Sequence, residues 1–438
     1  MCRKNHRLPT RVPRTRPIHI VPLRHRHPEI NPMAINLLYV HYGEEWIRGS
    51  ERCLLDLLTH LDRAQYRPVV WSNSQTLLSA VKALEVETEH SPFTLLGGWE
   101  TPRMDIRASW RLYQEGCRLL HKHQIALVHC NSGAPCQWMV PAARTAGVPL
   151  LAHLHARYQA RDRYSLLLHQ VSLAIGVSQP VIAGLLADGM PAHRCQVIPN
   201  GIDAERLAAH PAIDIRARFA IAPEQLLLLS VGSLIRRKGM DLLIDAVALL
   251  QGNGLSVALV IVGAGEERAA LAEQIARLHL QQQVFLAGED GQVGGWLQGG
   301  ADVFISGARE EVFGLVLAEA GWAGLPVTAP DVGGIAEVVL DHDTGLLVPA
   351  DDVQALADKI RELHENPGLR EQLGRQGQAR VRAQFSVQRY VADISAAYQD
   401  LLRTPKSALH WRDGWRCAGS CLRWLGERVQ QRLGRKPA

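Results

Sequence analysis

The chain has 438 residues, 47% of them apolar, with a formal net charge of +5. That length asks for two or three domains, the apolar share is ordinary for a globular protein, and no apolar run approaches the roughly 18 residues of a spanning helix. The charge sits at the ends: residues 1–32 carry +7, residues 404–438 carry +6, and the body between them carries −8, which argues against nucleic acid as a partner of the folded body.

Residues 1–32 are rich in Arg, His and Pro. Pro9, Pro13, Pro17, Pro22 and Pro28 exclude a stable helix there, so the segment reads as a disordered basic arm or as sequence ahead of a start at Met33. No apolar signal segment is visible at the N-terminus. The eight cysteines are scattered, and Cys53 and Cys130 fall inside apolar runs, as expected of reduced thiols in a cytoplasmic protein. Cys417 and Cys421 lack a second ligand pair, so no zinc site is expected.

From residue 35 the pattern is regular. Strands are expected at 35–40, 67–72, 125–130, 148–153 and 172–177, and helices at 49–61, 106–122, 134–146, 162–170 and 179–188. Alternating strands and helices predict a parallel sheet covered on both faces. Gly49 opens the first helix after a strand, the phosphate-facing unit of a doubly wound domain. His153 and His155 close a strand, and ligands of open parallel sheets bind beyond the strands' carboxyl ends. The stretch Pro199-Asn200-Gly201-Ile202-Asp203 supplies a turn that ends the first half.

The pattern restarts at residues 226–231. Gly232 follows, then the basic cluster Arg236-Arg237-Lys238 just ahead of a helix beginning at Met240. Cations beside a helix N-terminus suit a diphosphate. A strand at 257–262 leads to Gly263, another glycine turn. Strands at 283–287 and 302–306 precede residues 311–327, the densest motif of the chain. There Glu311 and Glu319 stand eight residues apart, with Phe313-Gly314-Leu315 as a strand-to-helix turn. Free N–H groups at that helix start could hold phosphate or sugar oxygens. Glu319, two turns further on, could accept from the vicinal hydroxyls of a ribose. Gly333-Gly334 repeats the device, residues 345–349 form a last strand, and helices are expected at 352–363, 367–384 and 387–402.

These motifs together resemble the retaining family 4 glycosyltransferases, the "group 1" transferases. The resemblance covers roughly residues 35–400. Members carry Gly-Gly-x-Glu where this chain has Arg48-Gly49-Ser50-Glu51, and commonly an Arg where it has Ser233. The resemblance implies an α/β, GT-B fold: two doubly wound Rossmann-like domains facing across a cleft. It implies an acceptor-side domain at 33–205, a nucleotide-sugar domain at 206–385 and a crossover helix at 386–403. By the same resemblance His155 lies near the reacting sugar, Glu311 holds sugar hydroxyls, Arg237 or Arg236 with Lys238 holds the diphosphate, and Gly49, Gly232, Gly263, Phe313, Gly314, Leu315 and Glu319 line the donor. The expected reaction is sugar transfer from a nucleotide-diphosphate donor to a lipid-linked, lipopolysaccharide or polysaccharide acceptor, with retention. Arg237, Lys238 and the helix N-termini can supply the positive field for the diphosphate, so no metal and no cofactor beyond the donor are expected. A sugar-nucleotide epimerase and a non-catalytic scaffold remain as alternatives.

Within the tail, residues 411–433 space Trp415, Ala418, Leu422, Leu425, Val429 and Leu433 at helical intervals, with arginines largely elsewhere on the wheel. That is the pattern of a helix lying on a membrane surface, with a tail docked on its own protein or disordered as the other reading; the protein is expected in the cytoplasm, and by the first reading peripheral on the inner face of the cytoplasmic membrane.

Overall fold

The computed structural model describes residues 34–97 and 104–404. The expected basic arm and the tail helix at 411–433 lie outside the described residues. Among those described, no helix is long and apolar enough to cross a membrane.

Seven strands form the first sheet: β1 (Ile35–His41), β2 (Tyr66–Ser72), β3 (Glu87–His90), β4 (Leu127–Cys130), β5 (Leu150–Leu154), β6 (Leu173–Gly176) and β7 (Cys195–Val197). Six form the second: β8 (Leu226–Val231), β9 (Val257–Val262), β10 (Val284–Gly288), β11 (Val303–Ile305), β12 (Val327–Pro330) and β13 (Gly345–Val348). Their orders are β3-β2-β1-β4-β5-β6-β7 and β10-β9-β8-β11-β12-β13, and every strand pair is parallel. Both halves are thus doubly wound, with the winding reversing between β1 and β4 and between β8 and β11. A crevice opens at such a reversal, beyond the strands' carboxyl ends.

Central strands are apolar throughout because helices cover both faces. Leu37 to Val40, Leu226 to Leu229 and Val257 to Val262 are all buried. The edge strands β3 and β7 were not expected from sequence. β3 is Glu-Thr-Glu-His, charged as edge strands tend to be, and β7 has three residues. The helix Gln75–Ala83 was also missed. The helix expected at 162–170 is corrected: Ala160–Ser165 is helical, Leu167 takes φ +59° and breaks it, and Leu168–Gln170 forms a separate 3-10 turn.

The chain crosses between the halves twice, and the crossings lie side by side. Ile202 N donates to Phe385 O at 2.7 Å and Val387 N to Ile202 O at 3.1 Å. The helix Val387–Arg403 then packs on the first sheet, burying Val387, Tyr390, Ile394 and Tyr398 in one core with Leu37, Tyr39 and Leu54. Each large apolar side chain so buried stabilises by about 1.5–3 kcal/mol. Tyr398 donates to Tyr39 at 3.0 Å, and His129 Nδ1 lies 2.6 Å from the Tyr398 hydroxyl.

Candidate functional site

The turn after β8 and the turn after β11 are neighbours because β8 and β11 are neighbours. Lys238 comes from the first and Glu311 from the second. The Lys238 ammonium lies 2.5 Å from Glu311 Oε2, and Glu311 Oε1 accepts from Val312 N at 3.1 Å. Burial pushes the Glu311 carboxyl up, but Lys238, Arg237 and the Val312 N–H outweigh it and hold the carboxyl below the usual range. It is a carboxylate at neutral pH.

Two glycines behind Glu311 are demanded by the backbone. A Cβ on Gly333 (φ +58°) would fall 1.7 Å from the Glu311 carbonyl, and Gly334 N donates to that carbonyl at 3.1 Å. Gly263 backs the β8 turn in the same way, since its Cβ would fall 1.9 Å from the Gly232 carbonyl. Gly232 and Gly263 therefore hold two turns against each other. A Cβ on Gly49 would meet nothing within 4 Å, so the fold itself does not require glycine there.

The two candidate arginines part company. Arg236 donates to Asp241 at 3.0 Å. Asp241 also takes both Nη atoms of Arg309 at 2.8 Å, and Arg309 Nε reaches Asp351 at 2.6 Å. Arg237 is exposed, and its guanidinium pairs with no acid among the described residues; it acts on Glu311 through its charge. Beside them Gly314 (φ +90°) caps the helix Leu315–Trp322. The Gly314 and Leu315 N–H groups donate no hydrogen bond among the described residues. The two neighbouring turns thus present between them a free guanidinium, a paired ammonium and free N–H groups, the donors a diphosphate needs.

Two expected donor residues sit differently. Phe313 is 2% exposed and packs edge-on against Phe385 at 5.7 Å; its side chain is core, so only its backbone is available to a ligand. Glu319 is buried apart from the Lys238 cluster, with Arg206 Nη2 at 3.7 Å from its Oε1. Arg206 Nε in turn lies 3.5 Å from Asp56, on the first-half helix Gly49–His60. Burial pushes Glu319 up to about 7, Arg206 opposing it and Asp56 adding to it.

The first half contributes a second constellation at its own reversal. His41 ends β1, Asn131 follows β4, and His155 follows β5. His41 Nε2 lies 2.9 Å from Glu51 Oε1. Burial raises the Glu51 carboxyl, but His41 and backbone N–H groups bring it to about 2. His155 Nε2 lies 3.3 Å from Asn131 Oδ1. Burial first, then His153 and His41, hold His155 well below the usual imidazole range, so it is neutral. His153 is fully buried with neither ring nitrogen bonded. No hydrogen bond or ion pair among the described residues joins His155 or Gly49 to the Lys238 cluster. The halves do touch beside Glu311: Ser178 Oγ donates to Val312 O, and Gln179 N to Glu337 Oε1 at 2.9 Å.

Residues 212–380 match the family described as glycosyl transferases group 1, and residues 47–206 match glycosyltransferase family 4. Together these stretches cover three quarters of the chain, and the first contains the whole Lys238–Glu311 cluster. The chain belongs to the group 1 glycosyltransferases. Among curated relatives of this group 1 chain, N-acetyl-alpha-D-glucosaminyl L-malate synthase of Bacillus anthracis is 26% identical over 48% of this chain and 55% of that protein. The lipopolysaccharide core biosynthesis mannosyltransferase LpsB of Rhizobium meliloti is 27% identical over 47% and 61%. The chain therefore spans little more than half the length of these two. A GDP-mannose-dependent alpha-(1-6)-phosphatidylinositol monomannoside mannosyltransferase of Mycobacterium tuberculosis is matched more fully, 27% identical over 72% of this chain and 84% of that one. Among solved structures, Anabaena HepE in complex with UDP superposes with a TM-score of 0.72 at 22% identity, over 84% of this chain and all of that one. A Rickettsia africae glycosyltransferase gives 0.74 at 19%, over 85% and all. The fold of this group 1 glycosyltransferase is GT-B.

Four contributing residues were missed by sequence reasoning. Arg206 and Arg309 stand in no motif that names their partners, Asp56 and Glu319 for the one and Asp241 and Asp351 for the other. Asn131 and His41 could have been found, because each ends or follows a strand at the reversal of the first sheet. Elsewhere, Glu87, Glu89 and His123 come together on the edge of that sheet. Lys122 lies 2.5 Å from Glu89 there, so this group reads as an ion-pair network.

Proposed function

We propose that this protein transfers a sugar from a nucleotide-diphosphate donor to a lipid-linked, lipopolysaccharide or polysaccharide acceptor, with retention at the anomeric carbon and without a metal ion. The observation that carries the reading is the pair of neighbouring turns, one presenting Arg237 and Lys238 and the other the Glu311 carboxylate and the free Gly314 and Leu315 N–H groups. In the reaction the bond from the anomeric carbon to the diphosphate breaks and its electron pair leaves with the diphosphate. Arg237, Lys238 and the helix N-terminus stabilise that developing charge. The acceptor hydroxyl forms the new bond and releases its proton, while Glu311 orients sugar hydroxyls and His155 faces the same sugar. Glu319 would reach the ribose only by leaving Arg206, so ribose binding by this residue involves a rearrangement at the junction of the halves.

A nucleotide donor is supported by the HepE structures, solved with UDP and with UDP-glucose, and by the GDP-mannose dependence of the mycobacterial relative. A glycan or lipid-linked acceptor is supported by the names of that relative and of LpsB. Retention rests on family membership. Contact with the inner face of the cytoplasmic membrane through residues 411–433 rests on the apolar spacing and arginines of that stretch; deleting residues 404–438 should release the protein from membrane fractions, and unchanged sedimentation would remove this part.

The test of the whole reading is a thermal-shift screen of purified protein against nucleotides and nucleotide sugars without added metal. A ligand at a hundred times its dissociation constant stabilises by about 2.7 kcal/mol. A shift for one base's diphosphate and its sugar, lost in Arg237→Ala, supports the reading. A flat panel would argue for a scaffold, and donor conversion without any acceptor for an epimerase.

A further inference from the structure

We propose that Asn131 is a positioning residue that holds His155 with its proton on Nε2, leaving Nδ1 as an open acceptor for one hydroxyl of the transferred sugar. The sugar's part in this rests on the donor reading given above; the placing of the proton does not.

The assignment follows from atoms that have only one role. Asn131 Nδ2 lies 3.1 Å from the Ser50 carbonyl. A carbonyl only accepts, so that edge of the amide must be the nitrogen. The Asn131 oxygen is then the atom 3.3 Å from His155 Nε2. An amide oxygen also only accepts, so Nε2 carries the hydrogen. In a neutral imidazole Nδ1 is then a lone pair. It has no hydrogen bond among the described residues and is not among the buried unpartnered atoms, so it is open to a ligand.

The chain is anchored at its far end as well. The second hydrogen of Asn131 Nδ2 meets His41 Nδ1 at 3.1 Å. That nitrogen accepts, so His41 carries its hydrogen on Nε2 and donates it to Glu51 Oε1 at 2.9 Å. The Asn131 backbone carbonyl lies 3.3 Å from the same Nδ1, but a hydrogen there would face the amide hydrogen. Glu51 Oε2 accepts from Arg48 N at 3.1 Å, which fixes the carboxylate to the helix start. Glu51, His41, Asn131 and His155 thus form one directed relay across β1, β4 and β5. Asn131, His41 and Glu51 are all buried, where an unmatched polar group is costly; each is matched in one sense only. His153, its ring centroid 4.2 Å from that of His155 and tilted by 43°, offers no competing bond.

The test reads the ring nitrogens of His155 directly, by two-bond hydrogen–nitrogen correlation spectra of the full chain, with His155→Gln supplying the assignment. In the parent protein Nε2 should report as protonated and Nδ1 as unprotonated across neutral pH. Asn131→Leu should average the two nitrogens. Asn131→Asp, which sets a carboxylate on the Nε2 hydrogen, should bring the His155 titration up into the neutral range. A Nδ1 proton in the parent protein, or spectra of His155 unchanged in both variants, overturns the proposal. The parent spectrum decides even if one variant fails to fold. A second readout compares ligands: Asn131→Leu should weaken the nucleotide sugar about tenfold while leaving the bare nucleotide diphosphate unchanged, the loss expected for one hydrogen bond at a fixed site. Equal weakening of both would mark Asn131 as merely structural and overturn the sugar-facing role. Should no nucleotide bind even the parent, the donor reading and the sugar-facing role fall together, while the spectra still decide the relay.

Discussion

Lys238 and Glu311 stand 2.5 Å apart, joined because two adjacent parallel strands end beside each other. Neither group is free to move alone: the ammonium is turned toward a carboxylate that is itself tied to Val312 N. Replacing Lys238 with Ala should lower kcat about 100-fold, the usual loss of one charge-stabilising group. Donor affinity should fall much less. Single-turnover kinetics with saturating donor checks this, and a purely KM effect would place Lys238 outside the leaving-group field.

Arg236 and Arg237 differ in what already holds them. Arg236 is committed to Asp241, whereas Arg237 is exposed beside Glu311. Arg237→Ala should weaken nucleotide diphosphate binding about tenfold or more, the value of one charge-assisted hydrogen bond. Arg236→Ala should change it by less than about threefold, within the small worth of an exposed ion pair. Titration calorimetry of both variants with the diphosphate tests the ordering; equal losses would mean that Arg236 leaves Asp241 when ligand arrives.

The buried Glu319 makes stability depend on pH. Its carboxyl lies at about 7 in the folded protein against 4.5 ordinarily, so the folded state binds this proton more tightly than the unfolded chain. The contribution is fully present below about 4.5 and is lost as pH rises through 7. The shift corresponds to about 3 kcal/mol. Glu319→Gln removes the titration, so the parent's melting temperature should fall relative to the variant's between pH 5 and pH 8. A constant difference across that range would show that Glu319 stays ionised beside Arg206.

Gly333→Ala tests the support behind Glu311. The new Cβ would meet the Glu311 carbonyl at 1.7 Å from a positive φ. About 3 kcal/mol of stability should be lost, and donor turnover should fall with it because Glu311 must shift. Normal melting and normal turnover together would show that the loop relaxes freely.

Much of this was legible in the residues. Buried parallel strands are apolar on both faces, so β1, β8 and β9 announce themselves, and each glycine turn after them marks a strand's carboxyl end. What the turns do not state is which of them meet. Lys238 and Glu311 are brought together by the reversal between β8 and β11, as His41 and Asn131 are by that between β1 and β4. Once doubly wound order is assumed, both pairings follow. Arg206 and Arg309 do not, because nothing local distinguishes a solvated arginine from one that bridges halves, as Arg206 does, or ties a turn to its neighbours, as Arg309 does. The charged strand β3 hid because an edge strand need not be apolar, and the break at Leu167 hid because leucine rarely takes a positive φ.

The helix Val387–Arg403 belongs by sequence to the end of the chain and by packing to its beginning. Its Tyr390, Ile394 and Tyr398 complete a core with Leu37, Tyr39 and Leu54. A chimera that exchanges second halves between relatives must therefore keep this last helix with the parent of the first half, so the natural unit of exchange is an internal cassette and not a terminal one. A fragment ending before Ser386 would present that bared sheet face to solvent and should associate through it.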